Sequence, residues 1–363
     1  MQTETARILE TPLGPLHQQA GAELGVWFGC ALPNHFGDWQ REYWFAHKSV
    51  ALIDKNYRAY LSFTGPDRVR YLNAILTNNI KDLAPYNGTV SLLLNPQGHI
   101  VAEIETYALP DNLLCISYQM VRERLVETLE KYIIMDDVTL TDETPRYGTL
   151  ALEGPQAARI VHELTGADVT AFAELGSKDV SVGSIPCSVA RRSTGEFVGA
   201  EFLTENQHLE PLWQILRDKA MAAGGGATGY TALSALRLEQ GIPWFGYDFG
   251  EKQIPHEAGL EHSHISYTKG CYTGQEIVER VRSRGQVNRR RVSLVFTGSV
   301  PAAGELLAAE GKEAGYVTRA AFSPRFSCPI GMGYVRRESN SPGTGLQWNG
   351  GTATVSKVAS GAG

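Results

Sequence analysis

The segment KGCYTGQEIVERVRSRGQVNRRR, residues 269–291, concentrates the most distinctive chemistry of this sequence. Cys271 lies between two glycines, Gly270 and Gly274, and Lys269 precedes it by two positions. Glycines let the backbone turn sharply and expose the side chain between them. A neighbouring cation favours the thiolate, which is the nucleophilic and metal-binding form of cysteine. A small cysteine in a tight turn is the alternative that these residues leave open.

The second half of this segment, residues 280–291, contains six arginines and no acidic residue, in a chain whose net charge is −6. A local basic patch in an acidic protein indicates a specific anionic partner. The candidates are a polyglutamyl tail, RNA or an acidic protein. RNA is the weakest of these because Tyr272 is the one aromatic residue in the segment. A solvated loop followed by the edge of a strand is the structural alternative.

Length and composition predict an ordinary globular protein of two or three domains, since the chain has 363 residues, 43% of them hydrophobic and 20% charged. We expect no membrane span and no secretory signal, because no long apolar run occurs and the N-terminus lacks a basic start. Five scattered cysteines without a Cys-x-x-Cys pair argue against a disulfide framework and a multi-cysteine metal site. A cytoplasmic location follows as an expectation.

Hydrophobic periodicity predicts an α+β layer followed by a β-rich region. The predicted strands of the layer are 60–65, 89–94, 100–108 and 113–117, and the predicted helices are about 119–133 and 207–222. After Arg291, short apolar runs broken by glycine and proline predict a small β-barrel or sandwich. These runs are residues 292–296, 305–307, 315–318, 331–335 and 352–358.

Several strings of the sequence resemble one protein family. Residues 269–290 resemble the signature of the YgfZ family, which are folate-binding relatives of the glycine-cleavage T-protein that act in iron-sulfur cluster assembly or repair. The opening TPL…H…GA of residues 11–21, with Asp54 further on, resembles the start of T-proteins. Residues 136–158, 191–196, 235–249 and 254–260 resemble further T-protein strings, so the resemblance covers essentially the whole chain.

The resemblance implies a fold class and a domain plan. The expected fold is α+β with three lobes, in which two α+β domains are interleaved in sequence and a β-barrel forms the C-terminus. The first, folate-binding lobe would comprise residues 1–54 and 146–235, the second lobe residues 55–145 and 236–285, and the barrel residues 286–363.

The resemblance also implies a site for tetrahydrofolate or a one-carbon derivative of it. Glu196, which follows Gly195, matches the glutamate that accepts parallel hydrogen bonds from a pterin edge. Arg237 matches an arginine whose guanidinium suits the glutamate tail of a folate. Tyr272 and Gln275 complete the predicted cofactor-binding residues. The structural alternatives are a turn-capping acid for Glu196 and an ion pair with a neighbouring acid for Arg237.

The sequence departs from T-proteins where their catalysis occurs. T-proteins have a paired aspartate near the pterin, and the corresponding residues here are Ala102 and Glu103. Glu103 is one methylene longer, and a misplacement of about 1 Å costs on the order of a hundredfold in rate. We therefore expect weak or absent aminomethyltransferase activity. A second departure lies at residues 55–58, where Lys-Asn-Tyr-Arg replaces a tail of small residues and methionine.

These departures lead to three functional hypotheses, with Cys271, Lys269 and Glu103 as the candidate catalytic residues. The preferred one is a tetrahydrofolate-binding accessory protein for iron-sulfur cluster assembly or repair. Its partners would be assembly proteins or client iron-sulfur enzymes, without a membrane or nucleic acid. The alternative is a folate-dependent aminomethyl- or methyltransferase that uses Glu103, and the third is a plain binding module.

No resident metal is predicted. A cluster normally takes four protein ligands, so one cysteine would hold it only together with a partner. Cys271 could otherwise attack an electrophile on folate or respond to oxidants. His262 and His264 could share a strand face as metal ligands, but no nearby residue completes a zinc site.

Overall fold

A computed structural model describes residues 7–194 and 197–356 of the chain. Gly195 and Glu196, both in the predicted folate site, lie outside the described residues. None of the helices in the described part of the chain is long and apolar enough to span a membrane.

The secondary structure mixes helices and strands along the whole chain. The helices are α1 (Gly14–Gln19), α2 (Trp39–Lys48), α3 (Arg68–Ile75), α4 (Arg122–Tyr132), α5 (Ala157–Thr165), α6 (Asn206–Ala222), α7 (Tyr230–Glu239), α8 (Pro255–Ala258) and α9 (Gln275–Arg284). The strands before α6 are β1 (Glu23–Trp27), β2 (Cys30–His35), β3 (Ala51–Asp54), β4 (Arg58–Thr64), β5 (Gly88–Leu94), β6 (Ile100–Ala108), β7 (Leu113–Tyr118), β8 (Thr139–Asp142), β9 (Tyr147–Glu153), β10 (Ser177–Val182), β11 (Ile185–Arg191) and β12 (Ala200–Glu205). The later strands are β13 (Gly226–Ala227), β14 (Arg289–Phe296), β15 (Leu306–Ala309), β16 (Lys312–Ser323), β17 (Cys328–Arg336), β18 (Gly345–Trp348) and β19 (Gly351–Ser356).

The described chain divides into two compact units. Unit 1 contains residues 7–71, 80–89 and 104–233 without 195–196, and unit 2 contains residues 72–79, 90–103 and 234–356. The division falls inside β5 and β6, so each of these strands contributes residues to both units. The three-part domain plan expected from the resemblance stays a prediction.

A six-stranded sheet with the order β10-β11-β12-β9-β3-β13 forms one half of unit 1. Its core contains apolar residues of β9 and β12 together with one face of α5 and one face of α6. In α6 the buried side chains include Leu209, Leu212, Trp213 and Leu216. This i, i+3, i+4, i+7 spacing produces the apolar stripe by which a helix packs on a sheet. The helix predicted at 207–222 is confirmed.

A five-stranded sheet has the order β5-β6-β7-β4-β8. The predicted strands 100–108 and 113–117 correspond to β6 and β7. In β6, Ile100, Ala102 and Ile104 are buried on one face of the strand, as its alternating pattern predicts. Glu103 lies on the opposite face, and its side chain is 16% exposed.

Residues 289–356 form a closed barrel with the strand order β14-β17-β16-β15-β18-β19. Antiparallel pairing of β14 with both β17 and β19 closes it. Leu294, Phe296, Val317 and Val335 are among the residues that fill its interior. The α+β class and the C-terminal barrel are therefore confirmed. β18 was missed from the sequence because its four residues include only one buried apolar side chain, Leu346.

Two local expectations are wrong. The arginine run is not a solvated loop throughout, because residues 275–284 form α9, which packs through Val278 and ends at the left-handed Gly285. Only its last part joins a strand, β14. His262 and His264 do not share a strand face, since residues 261–263 form a turn and His264 follows it.

Candidate functional site

The loop that carries Cys271 is fixed in unit 2 by a close backbone approach. Gly274 has φ +82°, and a Cβ there would lie 2.7 Å from the carbonyl oxygen of Asn95. One turn of helix later, the side chain of Ile277 lies against Gly98, where a Cβ would be 2.8 Å away. The loop and α9 therefore pack on the Asn95–Gly98 turn, which leads directly into β6 and Glu103.

Lys269 anchors the start of this loop. Its Nζ donates hydrogen bonds to the backbone carbonyls of Asn73 and Leu76, at the end of α3. It also lies 5.1 Å from the centre of the Tyr272 ring. Burial lowers the pKa of Lys269 to about 8. These contacts support an anchoring role, and a catalytic role for Lys269 stays a prediction.

The other loop residues differ in their exposure. Cys271 is exposed, whereas Cys30, Cys115 and Cys187 are buried and Cys328 is partly buried. Tyr272 is 6% exposed, its burial raises its pKa, and its Oη is buried without a hydrogen-bond partner among the described residues. Gln275 opens α9 and its backbone N–H donates to the carbonyl of Tyr272.

Glu103 is held by a histidine that is distant in sequence. Oε1 of Glu103 lies 2.9 Å from Nε2 of His264, and both side chains are largely buried. Nδ1 of the same imidazole lies 2.7 Å from Oγ of Ser263. The backbone carbonyl of His264 accepts a 2.6 Å hydrogen bond from Thr77. Sequence analysis missed this pairing because 161 positions separate the two residues.

Arg237 is buried in α7 with 5% of its surface exposed, and its Nη1 donates to Gln240 over 3.4 Å. Glu239, two residues later, accepts a hydrogen bond from Ser323 of β16. The folate-binding role of Arg237, like that of Glu196, stays a prediction.

Most of the arginine run holds unit 2 together. Arg289 pairs with Glu257, Arg290 pairs with Glu261, and Arg291 donates to the carbonyl of Ala258. Arg282 lies 4.1 Å from the centre of the Tyr267 ring. Arg280 and Arg284 are exposed and have no ion-pair partner among the described residues.

The Lys55–Arg58 departure produces a buried charge network in unit 1. The network contains three cations and three carboxylates, namely Lys55, Arg58, Arg192, Glu105, Glu153 and Glu201. Burial by itself would raise the pKa of Glu201, but the charges of Arg58, Lys55 and Arg192 outweigh it and hold the pKa well below its usual range. The two cations introduced at 55 and 58 are thus neutralised inside the protein.

A cavity of about 410 Å³ lies in unit 1, with Arg58 and Glu201 among its lining residues. The apolar and aromatic part of its wall includes Tyr107, Leu114, Ile116 and Leu203. Pockets of this size and character are typical of small-molecule sites.

His17 and Asp54, both noted in the opening motif, form a buried pair in unit 1. Nε2 of His17 lies 2.8 Å from Oδ2 of Asp54, and the histidine is fully buried. The ring of Trp213 packs edge-on at 4.7 Å between centroids. Asp54 also accepts from the backbone N–H of Asn56. This part of the motif is structural.

Two family profiles together match almost the entire chain. The GCVT N-terminal domain matches residues 13–265, and the glycine cleavage T-protein C-terminal barrel domain matches residues 289–358. The chain belongs to the GCVT family.

Relatives within the GCVT family match over the full length. The aminomethyltransferase of Streptomyces coelicolor is 28% identical over 347 residues, which cover 94% of this chain and 92% of the relative. That of Streptomyces avermitilis is 27% identical over 343 residues, covering 92% and 91%. The crystal structure of glycine cleavage system aminomethyltransferase T from Bartonella henselae has the same fold, with a TM-score of 0.87 over 97% of both chains at 22% identity.

The candidate site residues of this chain in unit 2 are the Glu103–His264 pair and the exposed Cys271. None of the groups of His, Cys, Asp and Glu side chains in residues 7–194 and 197–356 is arranged to hold a metal ion. The described residues of the candidate site include a positioned carboxylate, Glu103, and an exposed thiol, Cys271.

Proposed function

We propose that this protein binds tetrahydrofolate and transfers a one-carbon unit to or from it, as an aminomethyltransferase-type enzyme. The relatives that match over more than nine-tenths of both chains are named aminomethyltransferases. The observation that carries the proposal is the fixed carboxylate of Glu103, the residue that the resemblance to T-proteins matches with their aspartate pair. This reverses the preference that the sequence departures suggested.

The geometry supports a carboxylate that acts on a substrate nitrogen. A general base or charge-stabilising group must be held within hydrogen-bond reach of the atom on which it acts. His264 holds one oxygen of Glu103 in place, and the rigid β6 strand holds its backbone. The extra methylene gives the Glu103 carboxylate more freedom, and the hydrogen bond with His264 restricts that freedom.

Folate recognition has support in unit 1. The cavity beside Arg58 and Glu201 has the volume and the apolar walls that suit a flat heterocycle. The roles that the resemblance gives Glu196, a carboxylate for the pterin edge, and Arg237, a guanidinium for the glutamate tail, stay separate predictions.

The test combines binding and transfer on one set of proteins. Wild type is titrated calorimetrically with tetrahydrofolate under reducing anaerobic conditions. It is then supplied with tetrahydrofolate and a donor that carries the aminomethyl group on a thiol, so that the free thiol leaves, methylenetetrahydrofolate forms and ammonia is released. The folate product is followed by chromatography. We expect Glu103→Gln to retain binding and to lose roughly 10²–10⁴-fold in transfer rate. Glu276→Gln, an exposed residue of α9, is the matched control. Absence of saturable binding by wild type would overturn the proposal.

A YgfZ-type accessory role in iron-sulfur cluster assembly or repair is the second candidate. It is favoured by the exposure of Cys271, which sets this thiol apart from Cys30, Cys115 and Cys187. Its test is the activity of iron-sulfur enzymes in cells that lack the protein and are complemented with wild type or Cys271→Ser. Loss of rescue by Cys271→Ser, with tetrahydrofolate binding and transfer intact, would support this role over the first.

A further inference from the structure

We infer that His264 is a positioning residue, which orients the Glu103 carboxylate by donating an Nε2–H hydrogen bond to it as a neutral imidazole. The Glu103 carboxylate, which only accepts, sets this tautomer, and the Ser263 hydroxyl can donate to the remaining ring nitrogen. The inference rests on the proposed function, in which Glu103 acts on the substrate, and it adds a residue from a distant loop to that site.

Proton accounting determines the direction of each hydrogen bond. An ionised carboxylate accepts only, so the 2.9 Å contact with Glu103 requires the proton on Nε2. In a neutral imidazole the other nitrogen is then an acceptor. The hydroxyl of Ser263, 2.7 Å from Nδ1, must therefore donate to it. The hydrogen bond at one nitrogen sets which nitrogen carries the proton.

The surroundings explain why Glu103 needs this support. Ala102, its neighbour on β6, is fully buried and has no polar group to share the role of a paired acid. Glu103 has one more rotatable bond than an aspartate, so its carboxylate can reach more positions, and the contact with His264 restricts them. A misplacement of about 1 Å costs on the order of a hundredfold in rate.

The histidine itself is well fixed in unit 2. The Thr77 hydroxyl donates to its backbone carbonyl at 2.6 Å, and the backbone N–H of His264 donates to the carbonyl of Leu260 at 3.0 Å. The side chain is held at both ring nitrogens. Because the imidazole itself is fixed, its hydrogen bond can hold the Glu103 carboxylate in a defined position.

The experiment compares two substitutions at one position. His264→Gln keeps an amide N–H donor of similar reach, and His264→Leu keeps a similar volume without a donor. We expect His264→Leu to lower kcat for transfer about 10- to 100-fold with KM for tetrahydrofolate within about threefold. We expect His264→Gln to remain within about fivefold of wild type in kcat. His262→Gln, at an exposed neighbouring residue, is the control.

Two kinetic results would overturn the inference. One is a His264→Leu enzyme within about threefold of wild type, and the other is a His264→Gln enzyme as impaired as His264→Leu. Thermal unfolding of each variant identifies a loss that comes from misfolding, and in that event the spectroscopic measurement on wild type decides.

Nitrogen-15 NMR of the wild-type imidazole tests the inference without any activity. We expect Nε2 to carry the proton and Nδ1 to be unprotonated at neutral pH, and we expect this preference to weaken in Glu103→Ala. An imidazole with its proton on Nδ1 and none on Nε2 would show that the pairing is wrong. If wild type neither binds tetrahydrofolate nor transfers a one-carbon unit, the proposed function fails, while this spectrum still reports on the hydrogen bond.

Discussion

Nη1 and Nη2 of Arg58 donate hydrogen bonds to the two carboxylate oxygens of Glu201, at 2.5 Å and 3.0 Å. Both side chains are buried in unit 1, with 6% and 4% exposure. Charge-assisted bidentate pairs of this kind are among the strongest hydrogen bonds between side chains. Substituting one partner leaves the buried charge of the other partner uncompensated.

Removal of one partner should therefore be costly. We expect Glu201→Gln to lower the free energy of unfolding by about 3–5 kcal/mol in urea denaturation, because Arg58 and Lys55 each lose the nearer of their two carboxylate partners. The double variant Arg58→Met, Glu201→Gln should lose less than the sum of the single losses. Strict additivity of the two losses would contradict the pairing. Asp218→Asn, at an exposed surface ion pair, should change stability by less than about 1 kcal/mol.

The same carboxylate predicts an acid-sensitive stability. The folded pKa of Glu201 lies below its unfolded value, so the folded state binds fewer protons at low pH. This contribution is fully present above the ordinary glutamate pKa of about 4.3 and is lost as pH falls below it. The free energy of unfolding, measured from pH 6 to pH 3, should therefore decrease more steeply for wild type than for Glu201→Gln. Parallel curves would contradict the depressed pKa.

Gly274 and Gly285 provide a matched pair at the two ends of α9. Both have left-handed backbone, with φ +82° and +68°, but only at Gly274 would a Cβ meet another atom within 4 Å, at 2.7 Å from Asn95. Gly285→Ala should cost about 1 kcal/mol from backbone strain. Gly274→Ala should cost at least about 1–2 kcal/mol more, because backbone must move. Equal losses in denaturant unfolding would show that the close approach is absent.

Lys269 should make stability rise with pH in the alkaline range. Its pKa of about 8 in the folded protein lies below the unfolded value of about 10.4, so the unfolded state binds the proton more tightly between these values. The free energy of unfolding should rise from about pH 8 to pH 10 relative to Lys269→Met. A difference that stays flat, or that falls with pH, would contradict the lowered pKa.

Cys271 should react before the other four cysteines. It is exposed, whereas burial raises the pKa of both Cys30 and Cys115 to about 12 and that of Cys187 to about 11. A thiol reagent at pH 8 should label one site rapidly in native protein, since the thiolate is the reacting form. The rapid phase should disappear in Cys271→Ser and persist in Cys187→Ser. Persistence in Cys271→Ser would contradict this assignment.

Local patterns were sufficient for several elements. The alternation of Ile100, Ala102 and Ile104 predicted β6 and its buried face, because a strand places alternate side chains on opposite faces. The apolar stripe of α6 was visible for the corresponding reason of helical period. α9 was not predicted, because Val278 is its one buried side chain. With a single buried apolar residue among several arginines, the segment shows no clear helical hydrophobic period.

The candidate site depended on contacts that no local pattern contains. The sequence by itself predicted an α+β layer, a β-rich C-terminal region and a turn around Cys271, because periodicity and glycine placement act over a few residues. The choice of a barrel over a sandwich came from the family resemblance. Only the tertiary structure brought His264 to Glu103, Lys269 to Asn73 and Leu76, and Glu201 to Arg58. These pairs join positions more than a hundred residues apart, and folding alone decides which charged groups share a buried environment.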